Sequence, residues 1–125
     1  MPKARTMLWI ASAILLATAA FHFMGWFLAR GQFPGTAEPL ARLLWFSIDI
    51  DWVVVAALWF AAGYGGAALL RPLVMLSAAI PLAAAVALFV VIGPAFFGLW
   101  LLALAGAIAI VGAIRLGDEA ITPPE

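Results

Sequence analysis

The sequence predicts an all-α polytopic membrane protein: a bundle of four transmembrane helices, forming one domain over residues 1–125 with both termini on the inner side. Three observations predict it. Of the 125 residues 68% are apolar and only 10% are charged, whereas a soluble domain keeps about 25% charged. The apolar residues gather into four runs of about 20 residues, the length that crosses a hydrocarbon core roughly 30 Å thick. Each run is bounded by residues that turn or stop a helix.

The first span covers about 7–29. Lys3 and Arg5 before it, with Ala17-Thr18-Ala19 inside it, offer a competing reading as a cleavable signal peptide. The apolar run continues unbroken to Ala29, which suits an uncleaved span better. Gly31-Gln32-Phe33-Pro34-Gly35-Thr36 forms the loop, and Pro39 suits the first turn of the next helix. The second span covers 43–62, its helix starting nearer Pro39. Gly63-Tyr64-Gly65-Gly66 reads as a helix stop, and Arg71-Pro72 restarts the chain. The third span, 73–92, contains Pro81, which should kink it. Gly93-Pro94 makes a tight hairpin to the fourth span, 95–114. The remaining segment, 117–125, reads as a frayed polar tail.

Orientation follows from Lys and Arg. With the N-terminus inside, Lys3, Arg5, Arg71 and Arg115 are cytoplasmic and Arg30 and Arg42 are outside. In a bacterium this places the chain in the inner, cytoplasmic membrane, because long apolar helices do not fit an outer-membrane barrel. Trp9, Trp26, Trp45 and Trp59 fall near span ends, where amphipathic rings settle at headgroup level. Trp52 falls at the middle of its span.

Charge placement carries the functional signal. A charged side chain at the centre of a membrane helix costs about 2.5–3.5 kcal/mol on insertion scales, so it needs a partner, water or protonation. Arg42, Trp45, Asp49, Trp52, Ala56, Trp59 and Gly63 repeat at spacings of three and four and form one stripe. Asp51 lies about 200° around the helix from Asp49, beside Ser47 and Val55, so the two acids are not a carboxylate dyad. His22 lies about 10 Å from the outer end of the first span and Asp49 about 9 Å from that of the second. Consecutive antiparallel spans should therefore bring them level, with Gly25 permitting close approach and Asp51 as the alternative partner. Thr18 and Trp26 share the His22 face. The pair can be a structural tie worth about 0.6–2 kcal/mol, or a proton- or ligand-binding site. The ligand- or proton-binding candidates are His22, Asp49, Asp51, Trp52, Trp26, Arg42 and Ser47.

Other features point to packing. Ala79, Ala83 and Ala87, and Ala105, Ala109 and Ala113, follow small-xxx-small spacing. Ser77 is expected to bond back to its own helix. The fourth span carries no polar side chain between Leu101 and Ile114, which suggests a lipid-facing or partner-facing helix.

Six basic and six acidic residues balance, so no basic patch exists for nucleic acid. The absence of cysteine removes thiolate chemistry, and a single histidine cannot build a multi-histidine metal site. No nucleophile elbow or phosphate-binding glycine loop is present. A bis-histidine haem would need a second chain, and the chain alone implies no cofactor.

The stretches "AAFHFMGW", "LLWFSIDIDWVVVAALWFAAG" and "VVIGPAFFGLWLLALAGAIAIVG" resemble small four-helix bacterial inner-membrane proteins loosely grouped with DoxX-like proteins. The likeness lies in the first-helix histidine, the Trp-rich second helix and the Gly-Pro hairpin. Many such sequences carry a histidine in the second helix near where Trp45 and Phe46 stand here, whereas this chain has aspartates a turn later. The resemblance implies a four-helix bundle and no particular activity. Three functions follow as expectations. The first is an accessory or structural subunit of a membrane assembly, as a homo-oligomer or with other membrane subunits. The second is proton-coupled binding or transport of a small cationic or lipophilic ligand through the His/Asp site. The third is a membrane subunit of a redox complex.

Overall fold

The computed structural model describes residues 3–65 and 70–121, and their regular structure is wholly helical. Helix α1 spans Ala4–Ala29, α2 Glu38–Gly65, α3 Arg71–Val91 and α4 Phe97–Ile121. A 3-10 turn, Arg30–Gln32, follows α1. All four helices are long enough and apolar enough to cross a membrane. Helix α1 is continuous through Ala17-Thr18-Ala19.

Local chemistry sets the ends. The Pro34 carbonyl accepts the N–H groups of Ala37 and Glu38, at 2.8 and 3.2 Å, and launches α2. Glu38 sets a negative charge at the positive end of that helix dipole, and Pro39 carries a φ already suited to a first turn. Helix α2 runs to Gly65, and Gly66 of the expected stop lies outside the described residues. Between α3 and α4, Gly93 adopts φ 100°, a left-handed conformation that glycine reaches without a Cβ clash. Its N–H bonds back to the Leu88 carbonyl at 3.2 Å, and Trp100 Nε1–H donates to the Pro94 carbonyl at 2.9 Å. Helix α3 continues through the buried Pro81. The expected tail divides: residues 117–121 continue helix α4, and residues 122–125 of it lie outside the described residues. Gly117 is buried against Arg71, whose guanidinium would stand 2.6 Å from any Cβ there, so a glycine at this point continues the helix instead of ending it.

Packing follows the spatial order α2, α1, α4, α3. Helix α1 packs extensively on α2 and α4, and α4 on α1 and α3, whereas α2 and α3 touch sparsely. The helices that meet in hairpins are antiparallel. His22 meets Trp45 while Ser12 meets Ala56, and Leu82 faces Gly106 while Arg71 faces Gly117. Leu8, Leu15, Trp59, Val74 and Leu102 form the fully buried centre.

Two expectations are corrected by this order. The smooth fourth helix is an inner helix: 44% of its apolar window is buried, against 22% for α3. Its stripe Ala105, Ala109 and Ala113 is fully buried, because small side chains let neighbouring backbones approach closely. The matching stripe on α3 faces outward instead. Ala79, Ala83 and Ala87 are exposed, and α3 buries Val74, Ala78, Pro81 and Ala85. Ser77 does bond back, donating to the Val74 carbonyl at 3.0 Å. The outer faces carry Leu28, Leu76, Val90 and Val91, all largely exposed. Such continuous apolar surface exceeds what a water-soluble monomer shows and is what helices facing lipid present.

Candidate functional site

Antiparallel pairing of α1 with α2 brings His22 level with Asp49, and His22 Nδ1 lies 2.9 Å from Asp49 Oδ1. The bond holds in either protonation arrangement: Nδ1–H donates to a carboxylate, or a carboxylic O–H donates to a bare Nδ1. Gly25 supports the approach, since a Cβ there would already touch the Trp45 ring at 3.4 Å.

Aromatic rings fix the imidazole. Trp45 stacks on His22 with centroids 4.4 Å apart and planes inclined by 17°. Trp52, buried on the same stripe, meets it edge-on at 5.1 Å. Trp45 Nε1–H donates to the His22 backbone carbonyl at 2.8 Å, using the lone pair that the helical hydrogen bond leaves free. One α2 residue therefore holds both the ring and the backbone of His22. Trp26, also buried, closes the cluster against Trp45 at 5.7 Å and stacks on Phe33 at 5.9 Å.

Asp49 is 8% exposed, and its second oxygen, Oδ2, is buried with no hydrogen-bond partner. Leaving a buried acceptor unmade costs about 1–3 kcal/mol, and more when it is charged. An orphan of this kind, beside a satisfied twin oxygen, marks a place where another group can bind. Asp49 forms part of the wall of an open groove of about 350 Å³ between α1 and α2, with Ala20, Phe23 and Val53.

The other candidates divide. Trp52 and Trp26 join the pair. Asp51 is exposed on the far side of α2 and makes no hydrogen bond or ion pair among the described residues. Ser47, also exposed, donates to its own helix at the Leu43 carbonyl, 2.8 Å away. Arg42 is exposed, about 10 Å along the helix from Asp49 at the usual rise. Thr18 likewise bonds within α1, to the Ile14 carbonyl at 2.8 Å.

Sequence reasoning placed Trp45 on the Asp49 stripe but assigned it to the headgroup belt. Its position one turn from Asp49 was the available signal, because a residue four positions away shares the face that reaches His22. Phe23 and Val53 carried no signal, being apolar residues in apolar helices.

Oδ2 keeps an unused acceptor that a donor or a cation reaches when the side chains covering it move aside. Among the described residues no three His, Cys, Asp or Glu side chains gather to hold a metal ion. No protein-family model, curated protein or solved structure matches the chain.

Proposed function

We propose that this chain is a multi-pass protein of a bacterial cytoplasmic membrane, with both termini inside. It binds a lipophilic ligand bearing a cation or hydrogen-bond donor at the His22–Asp49 pair. The observation that carries this reading is that Asp49, which lines an apolar groove, keeps a buried Oδ2 without a partner. A tie between two helices needs only the Oδ1 bond, and a carboxylate kept for packing alone would not leave its other oxygen empty. An accessory-subunit role is the weaker reading, because the helix expected to dock a partner is the most buried of the four.

Asp49→Asn tests it. The amide keeps the size of the side chain and a carbonyl facing His22, but loses the negative charge. A lipophilic amine should bind about tenfold or more weakly, the equivalent of a lost charged hydrogen bond, while the thermal midpoint in detergent moves little. Equal affinity in the two proteins, measured by titration in nanodiscs, would reject the site.

A second reading rests on a different residue. Asp51 is exposed in the middle of an apolar helix, where an unpaired charge facing lipid is costly. Assembly with a second copy or another membrane subunit would cover it. Asp51→Leu should then shift the protein from a multimer toward the monomer in mild detergent, read by light scattering, with amine binding at Asp49 retained. An unchanged mass would dismiss a role for Asp51 in assembly.

A further inference from the structure

The groove beside Asp49 does not end there. A second depression of about 560 Å³ continues along the same α1–α2 seam toward Trp9 and Phe60. Leu16 and Val53 line both, so the two adjoin there and together make a trough along the seam. From Asp49 to Phe60 it extends over 11 positions of α2 by the sequence numbering, about 16 Å at helical rise.

Polarity along the trough has a direction. At one end Asp49 lines the wall, and its Oδ2, buried behind that wall, is an acceptor without a partner. Midway, the Ser12 hydroxyl has already donated to the Ala56 carbonyl at 2.9 Å, leaving no free donor. At the far end Trp9 stacks on Phe60, with centroids 5.7 Å apart. The Trp9 indole N–H is buried and unpartnered. It is tucked over Gly63, where a Cβ would stand 2.9 Å from Nε1. The remaining wall is aliphatic or aromatic.

We infer that this trough binds a single-chain cationic amphiphile, a long-chain primary amine, with its ammonium on Asp49 and its tail lying toward Trp9 and Phe60. This rests on the ligand reading above and adds the shape and polarity of the ligand. An ammonium matches the observations because it offers three donors and no acceptor. It meets a carboxylate oxygen without a partner, at the end of the trough that Phe23 lines. No Lys or Arg forms an ion pair with Asp49 among the described residues, so that charge is left for a ligand. The stretch between Asp49 and Trp9 offers no free hydrogen-bond donor, since Ser12 has already spent its own, so it accepts a tail and not merely a head. Both depressions are open along their sides, so a chain can enter from the bilayer without crossing the bundle.

Tail placement is read with ω-bromododecylamine and butylamine in nanodiscs. Bromine at the tail end should quench Trp9 fluorescence saturably, and unbrominated dodecylamine should reverse it. Trp9→Phe should remove that component of the quenching. Ala57→Phe, which narrows the second depression beyond the join, should weaken dodecylamine by about tenfold and leave butylamine unchanged. Loss of both amines in Asp49→Asn, with Ala57→Phe affecting neither, would overturn the tail assignment and keep the ligand reading. If Asp49→Asn affected neither amine, the ligand reading itself would fail. Quenching that is unsaturable and identical in Asp49→Asn marks simple partition into lipid and also overturns the proposal.

Discussion

His22→Leu is expected to destabilise the bundle by about 3–5 kcal/mol, more than any other single change at the site. Leucine fills most of the imidazole volume, so the loss is chiefly electrostatic. Asp49 Oδ2 already lacks a partner, and removing His22 strips Oδ1 as well, leaving a buried carboxyl with neither oxygen satisfied. Protonation of the orphaned acid limits the penalty without supplying the missing partner. Asp49→Leu should cost less, because it leaves an imidazole that can be neutral and stays stacked on Trp45. The double variant, His22→Leu with Asp49→Leu, should recover most of the loss, since two apolar groups replace two polar ones. Unfolding in a mixed detergent series gives all four corners of the cycle. If His22→Leu cost only the 0.6–2 kcal/mol or so of an ordinary interhelical bond, Asp49 would not be the charged, desolvated group that ligand binding requires.

What the sequence could and could not disclose follows from where polarity survives in an apolar chain. His22 and Asp49 were placed together by counting residues from span ends, and Asp51 was separated from Asp49 by helical angle alone. Both inferences worked because a polar side chain in such a helix has a depth and a direction. The packing order of the helices carried no such mark. A helix that is apolar all round gives no periodic sign of which face meets neighbours and which meets lipid. The smooth sequence of helix α4 therefore suggests a lipid-facing or partner-facing helix, although α4 lies between α1 and α3. For the same reason the stripe at Ala105, Ala109 and Ala113 and the one at Ala79, Ala83 and Ala87 looked alike, yet one is buried and the other exposed. Trp45 was visible but ambiguous, since a ring near a span end serves the headgroup belt or the core equally well. The groove was invisible, being defined by what Leu16 and Val53 leave unfilled.

Trp59→Ala should produce the largest loss outside the site, about 3 kcal/mol or more. Trp59 is fully buried, and its Nε1–H donates to Ser77 Oγ at 2.8 Å. Helices α2 and α3 are neighbours in sequence but otherwise touch sparsely, and this hydrogen bond bridges them. Without a hydrophobic force between helices in lipid, the cost is lost dispersion contact and the cavity left behind. Ser77→Ala should cost less, about 1 kcal/mol, because it orphans the indole N–H and leaves the ring in place. Hydrogen exchange should rise in α2 near Trp59 and in α3 near Ser77, while the amides around His22 stay protected. Amine binding should persist in Trp59→Ala, because the trough is walled by α1 and α2 alone. A parallel collapse of binding and of the α2–α3 seam would mean that the site depends on closure of the whole bundle. Retained binding would show that the α1–α2 hairpin holds the site by itself and that α4 and α3 brace it from behind.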